Sequence, residues 1–258
     1  MNTAKKANVL SLSGGADSTA TLLLMIDKKI HFDEAIYFDE EEWAWPQIKD
    51  NINKLMQITN KVTILKSDNS FEYMLKHYQI KKGKRKGEEG LGFPTPLNRW
   101  CTHIKLNTVM DYISNKYMGF EITQCIGYTY DEKRRAIKAK ANDLKYRFPL
   151  IEYGINSKTT KIICKKNGID FGGLYKTRKR TGCWCCPLQT FKDLGRLYIE
   201  FPKTWDSLKN KEMEVRAIIK KGDSENPRNF RYFKNMPFEA LERKIKEKNK
   251  RIGIREFI

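Results

Sequence analysis

No stretch of this 258-residue chain is apolar for long enough to cross a bilayer, and the opening Met1-Asn2-Thr3-Ala4-Lys5-Lys6 holds no apolar signal region. That sets aside a membrane protein and a secreted one, and a cytoplasmic protein without a membrane partner is expected. Carboxylates are scarce: 31 Asp plus Glu stand against 50 Lys plus Arg, a formal net charge of +19. Such an excess suits a polyanion or a heavily phosphorylated ligand, although lysines scattered over helix faces need no partner. Six cysteines in a reducing compartment do not make a disulfide framework, and none follows Cys186. There is no internal repeat, which excludes a solenoid or a propeller. Hydrophobic residues still make up 40 %, enough for one large α/β domain or a domain with an appendage.

What is present centres on Leu10-Ser11-Leu12-Ser13-Gly14-Gly15-Ala16-Asp17-Ser18-Thr19. Val9, Leu10 and Leu12 read as a strand buried on both faces. Two glycines then let the backbone bend and approach a ligand closely. Residues 17–28 read as a helix, with Ala16, Thr19, Leu22, Leu23 and Ile26 on its apolar face. A strand, a glycine bend and a helix start aim bare amides and the positive end of a helix dipole at one spot, where a phosphate is favoured. The bend lacks the lysine of a Walker loop and the three spaced glycines of a dinucleotide fingerprint.

Strands expected at residues 34–39, 61–66 and 121–127 alternate with helices at 46–59, 70–78 and 104–117. The first of these helices carries Ile48, Ile52, Leu55, Met56 and Ile58 at helical spacing, and the last a stripe of Leu106, Val109, Met110 and Ile113. Alternation of this kind implies right-handed crossovers, a parallel sheet, and ligands beyond the carboxyl ends of its strands. Residues 80–92, rich in lysine and glycine, are expected to form an exposed, mobile loop. Ser157 is expected to cap a helix that runs to Asn167, and Cys125 and Cys164 to pack as small apolar groups. Beyond Phe171 the pattern changes. Thr177-Arg178-Lys179-Arg180 and a cysteine cluster precede helices expected at 192–201, 208–220 and 238–249. The last has only Phe238, Leu241 and Ile245 as a thin apolar stripe and is expected to dock on the surface.

A second group of residues joins the first. Asn98-Arg99-Trp100-Cys101-Thr102 with Lys105 sets two cations beside a thiol, and Gly182-Cys183-Trp184-Cys185-Cys186-Pro187 puts three cysteines in four positions. Cys183 and Cys186 have the C-x-x-C spacing with which two thiolates grip one metal or cluster. Ser13-Gly14-Gly15-x-Asp17-Ser18 resembles the SGGxDS signature of the PP-loop ATP pyrophosphatases. The strand end Tyr37-Phe38-Asp39, the RWCT segment, Gly127 with Asp131-Glu132 and Arg134-Arg135, Phe148-Pro149-Leu150-Ile151, and the GCxxCP ending resemble the PAPS/APS reductase-like family within it. The likeness runs from Ala7 to Leu188, about seven-tenths of the chain.

The resemblance implies a doubly wound α/β fold with a mostly parallel sheet (adenine nucleotide alpha hydrolase-like, PP-loop). It implies a nucleotide-binding domain over residues 1–176, then a cysteine segment and helical appendage over 177–258. It implies that Ser13, Gly14, Gly15 and Ser18 hold the phosphates of ATP or a related adenine nucleotide. Asp17 and Asp39 would serve Mg²⁺ or order the loop and adenosine. Arg99, Lys105, Arg134 and Arg135 would neutralise charge on the phosphate oxygens. A [4Fe–4S] cluster would sit on Cys101, Cys183, Cys186 and Cys185, with zinc the lesser occupant and an open iron the alternative to Cys185. Residue 100 is tryptophan where cluster-bearing members carry a first cysteine. Trp43, Trp45 and Trp184 serve packing, with base stacking the alternative.

Sulfonucleotide reductases attack sulfate with a C-terminal cysteine, which this chain lacks. The expected function is therefore activation of an acceptor by adenylation with pyrophosphate release, coupled to sulfur chemistry of the DNA-phosphorothioation or tRNA-thiolation type. DNA or tRNA and a sulfur donor or thiol reductant protein are the expected partners. A sulfite-forming PAPS/APS reductase and a non-catalytic nucleotide-sensing or DNA-associated module are the alternatives.

Overall fold

Every second residue of β1 (Lys6–Leu12) points to the same face, and both faces are apolar. Ala7 and Val9 meet Ile36, Ile113 and Tyr117 on one side, while Leu10 and Leu12 enter the main core on the other. A strand buried twice over belongs in the middle of a sheet. In this computed structural model, which describes residues 5–139, 145–219, 232–234 and 236–252, that is where β1 lies. β2 (Glu34–Phe38), β3 (Val62–Leu65), β4 (Glu121–Ile126) and β5 (Lys145–Arg147) complete the order β3-β2-β1-β4-β5. Every neighbouring pair is parallel, so the doubly wound α/β fold is present with a wholly parallel sheet.

The chain leaves β1 for β2 and β3 on one side and returns to β4 and β5 on the other. A crevice must open where the direction reverses, beyond the carboxyl ends of β1 and β4. α1 (Ala16–Asp27) starts at that crevice. It is buried nearly all round, Ser18, Thr19 and Thr21 included, rather than along one face as its periodicity predicts. The sheet covers one side, and α6 (Pro149–Glu152) and α7 (Ser157–Lys166) cover the other. α2 (Pro46–Ile58) opens on a first-turn proline and buries Ile48, Ile52 and Leu55, whereas Met56 and Ile58 stay exposed.

α4 (Trp100–Lys116) starts four residues before the expected Ile104. Trp100 is drawn into an aromatic cluster, 5.6 Å from Trp43 and 5.7 Å from Phe71, the first residue of α3 (Phe71–Lys76). Of the expected stripe only Ile113 is buried, and Leu106 is exposed. Asn156, not Ser157, caps α7: its Oδ1 accepts from the amides of Lys158 and Thr159 at 3.0 Å. Ser157 is left free to donate its own amide to Asp131. The stretch 80–92 holds a single bridge, Gln79 to Glu89, and Arg85 turns inward to donate to the carbonyl of Gly90 at 2.9 Å.

α5 (Lys133–Ala139) and α8 (Leu174–Thr177) are short and carry no clear periodicity in sequence. α9 (Phe191–Glu200), α10 (Pro202–Ile219) and α11 (Phe238–Ile252) form the C-terminal helices. The expected helix end at Lys220 falls outside the described residues. Phe238, Leu241 and Ile245 do not rest on the surface: all three are buried in the main core with Trp205 and Tyr232. Few as they are, these apolar residues share one stripe, and that stripe is covered completely. The apolar cluster therefore continues across residue 176 without a break.

Candidate active site

The bend after β1 is fixed by backbone shape. Gly14 has φ +74°, and a Cβ there would stand 2.6 Å from Ile48 Cγ2. Ser18 braces the bend from within α1: its Oγ accepts from the Ser13 amide at 3.1 Å and lies 3.0 Å from Ser13 Oγ. Gly127, directly after β4, lets the two chains approach, because a Cβ on it would come within 2.9 Å of the Ser18 backbone. The first amides of a helix have no intrahelical acceptor. Here the Ala16 amide donates to the hydroxyl of Tyr175 at 2.8 Å, and that hydroxyl lies 3.2 Å from Thr181 Oγ1. A tyrosine oxygen thus stands where a helix N-terminus would receive an anion's oxygen.

A cavity of about 760 Å³ opens at the crevice between β1 and β4. Ser13, Gly15, Asp17 and Ser18 line it, as do Lys105 and Arg135. Gly14 lies behind it against Ile48. Arg99 and Arg134 are exposed and are not among the residues that line it. Successive residues of a helix point about 100° apart, so when Arg135 faces inward Arg134 cannot. Arg99 precedes α4, whose first residue is anchored in the core. Asp39 is also absent from the lining. Its Oδ1 accepts from the Glu41 amide at 2.8 Å, and Lys49 and Lys66 lie 3.5 and 3.7 Å from its carboxylate. Glu40, the next residue, reaches the cavity instead, ion-paired to Lys105, and Asp131 and Glu132 line it as well.

The remaining cations of the lining were not foreseen: Lys161 on α7, and Lys179 and Arg180 after α8. The signal for Lys179 and Arg180 was the run Thr177-Arg178-Lys179-Arg180, which only the fold brings to a loop more than 150 residues earlier, and Lys161 had none. Among the described residues none of the three has an ion-pair partner, and Lys161 Nζ rests 4.8 Å over the Tyr175 ring. Arg135 is already engaged, paired with Glu132 and stacked 4.3 Å over Tyr128. Burial pushes the Asp17 carboxyl above its ordinary range, against a 2.7 Å hydrogen bond from Thr160 and the pull of Lys161 and Arg180. For Lys105, burial alone would lower the pKa, but Glu40 and the nearby thiols hold it above the usual value.

The cysteine segment begins at the wall of the same cavity, since Thr181 and Gly182 line it and Cys183 comes next. Burial raises the Cys183 thiol first, and Glu40, Cys186 and Cys101 add to the rise. Burial likewise raises Cys186, with Cys101 beside it and Arg99 and Lys105 opposing. Cys101, Cys183 and Cys186 are thus neighbours. Cys185 is fully buried, and Cys183 and Cys186 bear on its thiol together with Lys211 and Glu72, an ion pair between α10 and α3. Trp45 Nε1 donates to Gly182 O at 2.8 Å, and Trp184 Nε1 donates to Glu42 O at 2.6 Å, so these tryptophans hold backbone as well as pack.

Three neighbouring thiols, two at C-x-x-C spacing, are a donor set suited to an iron–sulfur group or another soft metal. Among the described residues, however, no three His, Cys, Asp or Glu side chains already converge as ligands on one point. Loading would draw the sulfurs together and expel the protons that burial now retains. Cys125 and Cys164 are buried apart from this group, as expected of core residues, and Cys164 donates to Ala16 O at 3.4 Å.

No family model matches the sequence. The uncharacterized protein MJ0066 of Methanocaldococcus jannaschii is 24 % identical over 221 residues, covering 80 % of this chain and 41 % of that protein. The chain thus spans about two fifths of the length of the curated relative it matches. Among solved structures, the U34-tRNA thiolase NcsA of Methanococcus maripaludis with its [4Fe-4S] cluster aligns at a TM-score of 0.41 and 14 % identity. The alignment covers 85 % of this chain and 73 % of that one, and a score of this size carries no argument about site or activity. Among the described residues no helix is long and apolar enough to cross a membrane.

Proposed function

We propose that this chain is a PP-loop enzyme that binds ATP with Mg²⁺ and adenylates a nucleic-acid acceptor. An acceptor oxygen attacks the α-phosphorus, the bond to the β-phosphate oxygen breaks, and pyrophosphate leaves. Hydrosulfide delivered by a donor protein then displaces AMP and forms the carbon–sulfur or phosphorus–sulfur bond; where a donor persulfide attacks instead, a second donor thiol cleaves the acceptor–S–S–donor bond and the donor ends as a disulfide. The single observation that carries this reading is one cavity shared by the glycine bend, three cations without carboxylate partners, and the first residues of the cysteine segment.

Each group has a task that its chemistry fits. The bend and the start of α1 offer amides and the Ser13 and Ser18 hydroxyls to phosphate oxygens. Lys161, Lys179 and Arg180, with Lys105, meet the charge that builds on pyrophosphate as it departs. Asp17, its carboxyl already raised by burial, would be drawn back to the ionised state by Mg²⁺. Cys101, Cys183 and Cys186 would hold an iron–sulfur cluster, which when bound supplies a site for sulfur. Residues 187–258 hold no cysteine to serve as the nucleophile of a sulfonucleotide reductase, which stands as the second reading.

The test incubates anaerobically purified protein with ATP, Mg²⁺ and either bulk tRNA or duplex DNA, and assays AMP and pyrophosphate. Pyrophosphate release that depends on one nucleic acid supports the proposal and names the acceptor. Sulfite from a sulfonucleotide and thiol, without pyrophosphate, would replace it with the reductase reading. Nucleotide binding with no turnover would leave a sensing module.

A further inference from the structure

Arg178 is a guanidinium with only 4 % of its surface exposed and no carboxylate partner among the described residues. Its plane lies 4.5 Å over the Trp45 ring, and its Nε has no hydrogen-bond partner. Burial lowers its pKa, the direction expected of a cation stripped of water. A buried arginine held at such cost would be replaced by a methionine or leucine of similar volume with little loss, unless its hydrogen bonds matter. One of those bonds, from Nη2, goes to Asp193 O at 3.4 Å, and the shorter one leads to the cysteine turn. Arg178 Nη1 donates to Gln189 Oε1 at 2.8 Å and so fixes which end of that amide faces which way.

The other end of Gln189 is spent entirely on the turn. Its Nε2 lies 2.7 Å from Trp184 O, 3.0 Å from Cys186 O and 3.1 Å from Tyr232 Oη. Tyr232, fully buried, donates its own hydroxyl to Cys186 O at 2.8 Å. The turn is closed by the Cys186 amide donating to Cys183 O at 3.1 Å. Its carbonyls are therefore gathered on the inner side, and the backbone cannot rotate without leaving buried donors unpaired. Sulfur atoms on the same short turn inherit that constraint.

We infer that Arg178, Gln189 and Tyr232 form a buried positioning relay that sets the Cys183–Cys186 turn in the orientation from which its thiolates grip a metal or cluster. None of the three touches the ligand. The inference rests on the reading of Cys101, Cys183 and Cys186 as ligands, and goes beyond it by assigning residues outside the cysteine set. Arginine is required because its fork orients the amide and polarises it, so that Gln189 N–H groups donate more strongly to the two carbonyls. Residues that orient ligands in this way typically change metal affinity about 10- to 100-fold when altered.

The experiment titrates the reduced full-length protein with Co²⁺ under anaerobic conditions, following the thiolate-to-cobalt charge-transfer band and competing with a chelator. The decisive variant is Gln189→Glu. Its carboxylate keeps the volume and gains an ion pair with Arg178, so the fold is supported, but it has no hydrogen to give Trp184 O and Cys186 O. A loss in Co²⁺ affinity of about tenfold or more is expected, with a weaker band per bound ion. Tyr232→Phe removes one of two donors to a single carbonyl, and about a threefold loss is expected. Pyrophosphate binding should match wild type in both and reports the intact fold. Wild-type Co²⁺ affinity and spectrum in Gln189→Glu would overturn the relay and leave the thiolate reading standing. Wild-type protein without a charge-transfer band would overturn both.

Discussion

Around Ser13 to Ser18 the backbone is shaped by a central strand, a helix buried nearly all round, and two glycines whose neighbours leave no room for a Cβ. The Cys183–Cys186 turn, by contrast, hangs from side chains that reach it from elsewhere: Trp45, Gln189 and Tyr232. The first region is specified by what the chain cannot do there, the second by what distant residues supply. A backbone site of the first kind is formed before any ligand arrives. A site of the second kind can be complete in its components and still wait for its ligand to bring them together, which is how three neighbouring thiols come to share no common point.

Breaking the backbone site should have the largest effect. Gly14→Val forces a β-branched residue to φ +74° and drives its Cβ into Ile48. Left-handed strain and overpacking together should cost about 2–5 kcal/mol, read by chemical denaturation, and calorimetry should detect no ATP binding. Next come the cysteines. Cys183→Ser or Cys186→Ser should abolish iron retention after anaerobic purification, while Cys185→Ser should retain iron. The latter places a hydroxyl in a fully buried spot and should lower stability by about 1–3 kcal/mol. Equal iron loss in all three would erase the distinction drawn between Cys185 and its neighbours.

Smaller effects sharpen the phosphate side. Lys161→Ala or Arg180→Ala should weaken pyrophosphate binding about tenfold, while Arg134→Ala should change it less than about twofold. Tyr175→Phe frees the Ala16 amide from its 2.8 Å partner and should tighten pyrophosphate about threefold to tenfold; weaker binding would show that the hydroxyl serves the anion instead. The smallest effect concerns pH. The Asp17 carboxyl titrates above its ordinary 3.8 in the folded protein, so the native state holds the proton longer than the unfolded one. Stability attributable to this group is present at low pH and is lost as pH rises from near 3.8 through the raised value. Asp17→Asn should flatten that slope in denaturant midpoints.

The same contrast governs what was legible in the sequence. A glycine bend between an apolar strand and an apolar helix is local, so Ser13, Gly15, Asp17 and Ser18 could be placed on the rim, and the alternation of elements announced a parallel sheet. Lys161 and Tyr175 carry no local pattern and Arg180 only a basic run, and their place at the cavity follows from the packing of α7 against α1 and the bond between Ala16 and Tyr175. Arg99 and Arg134 illustrate the converse. Arg134 and Arg135 look alike in sequence, but helix geometry admits only one of the two to a given face, and Arg99 stands before α4 rather than on it. On α4 the side that packs carries Trp100, Ile104, Val109 and Ile113 rather than Leu106, and the thin stripe of α11 turned out to be core because Trp205 and Tyr232 close over it.

Lys105 belongs to both regions: paired with Glu40, it lines the phosphate cavity and is felt by the thiols of Cys101 and Cys183. A single ammonium cannot give its full attraction to two anions at once. Thiolate charge gathering on one side and phosphate charge on the other must therefore compete for it, and linkage requires each to alter the other's affinity by the same factor. Filling the sulfur side would loosen the grip on pyrophosphate, and pyrophosphate would loosen the sulfur side equally, so the lysine couples two sites that share one wall.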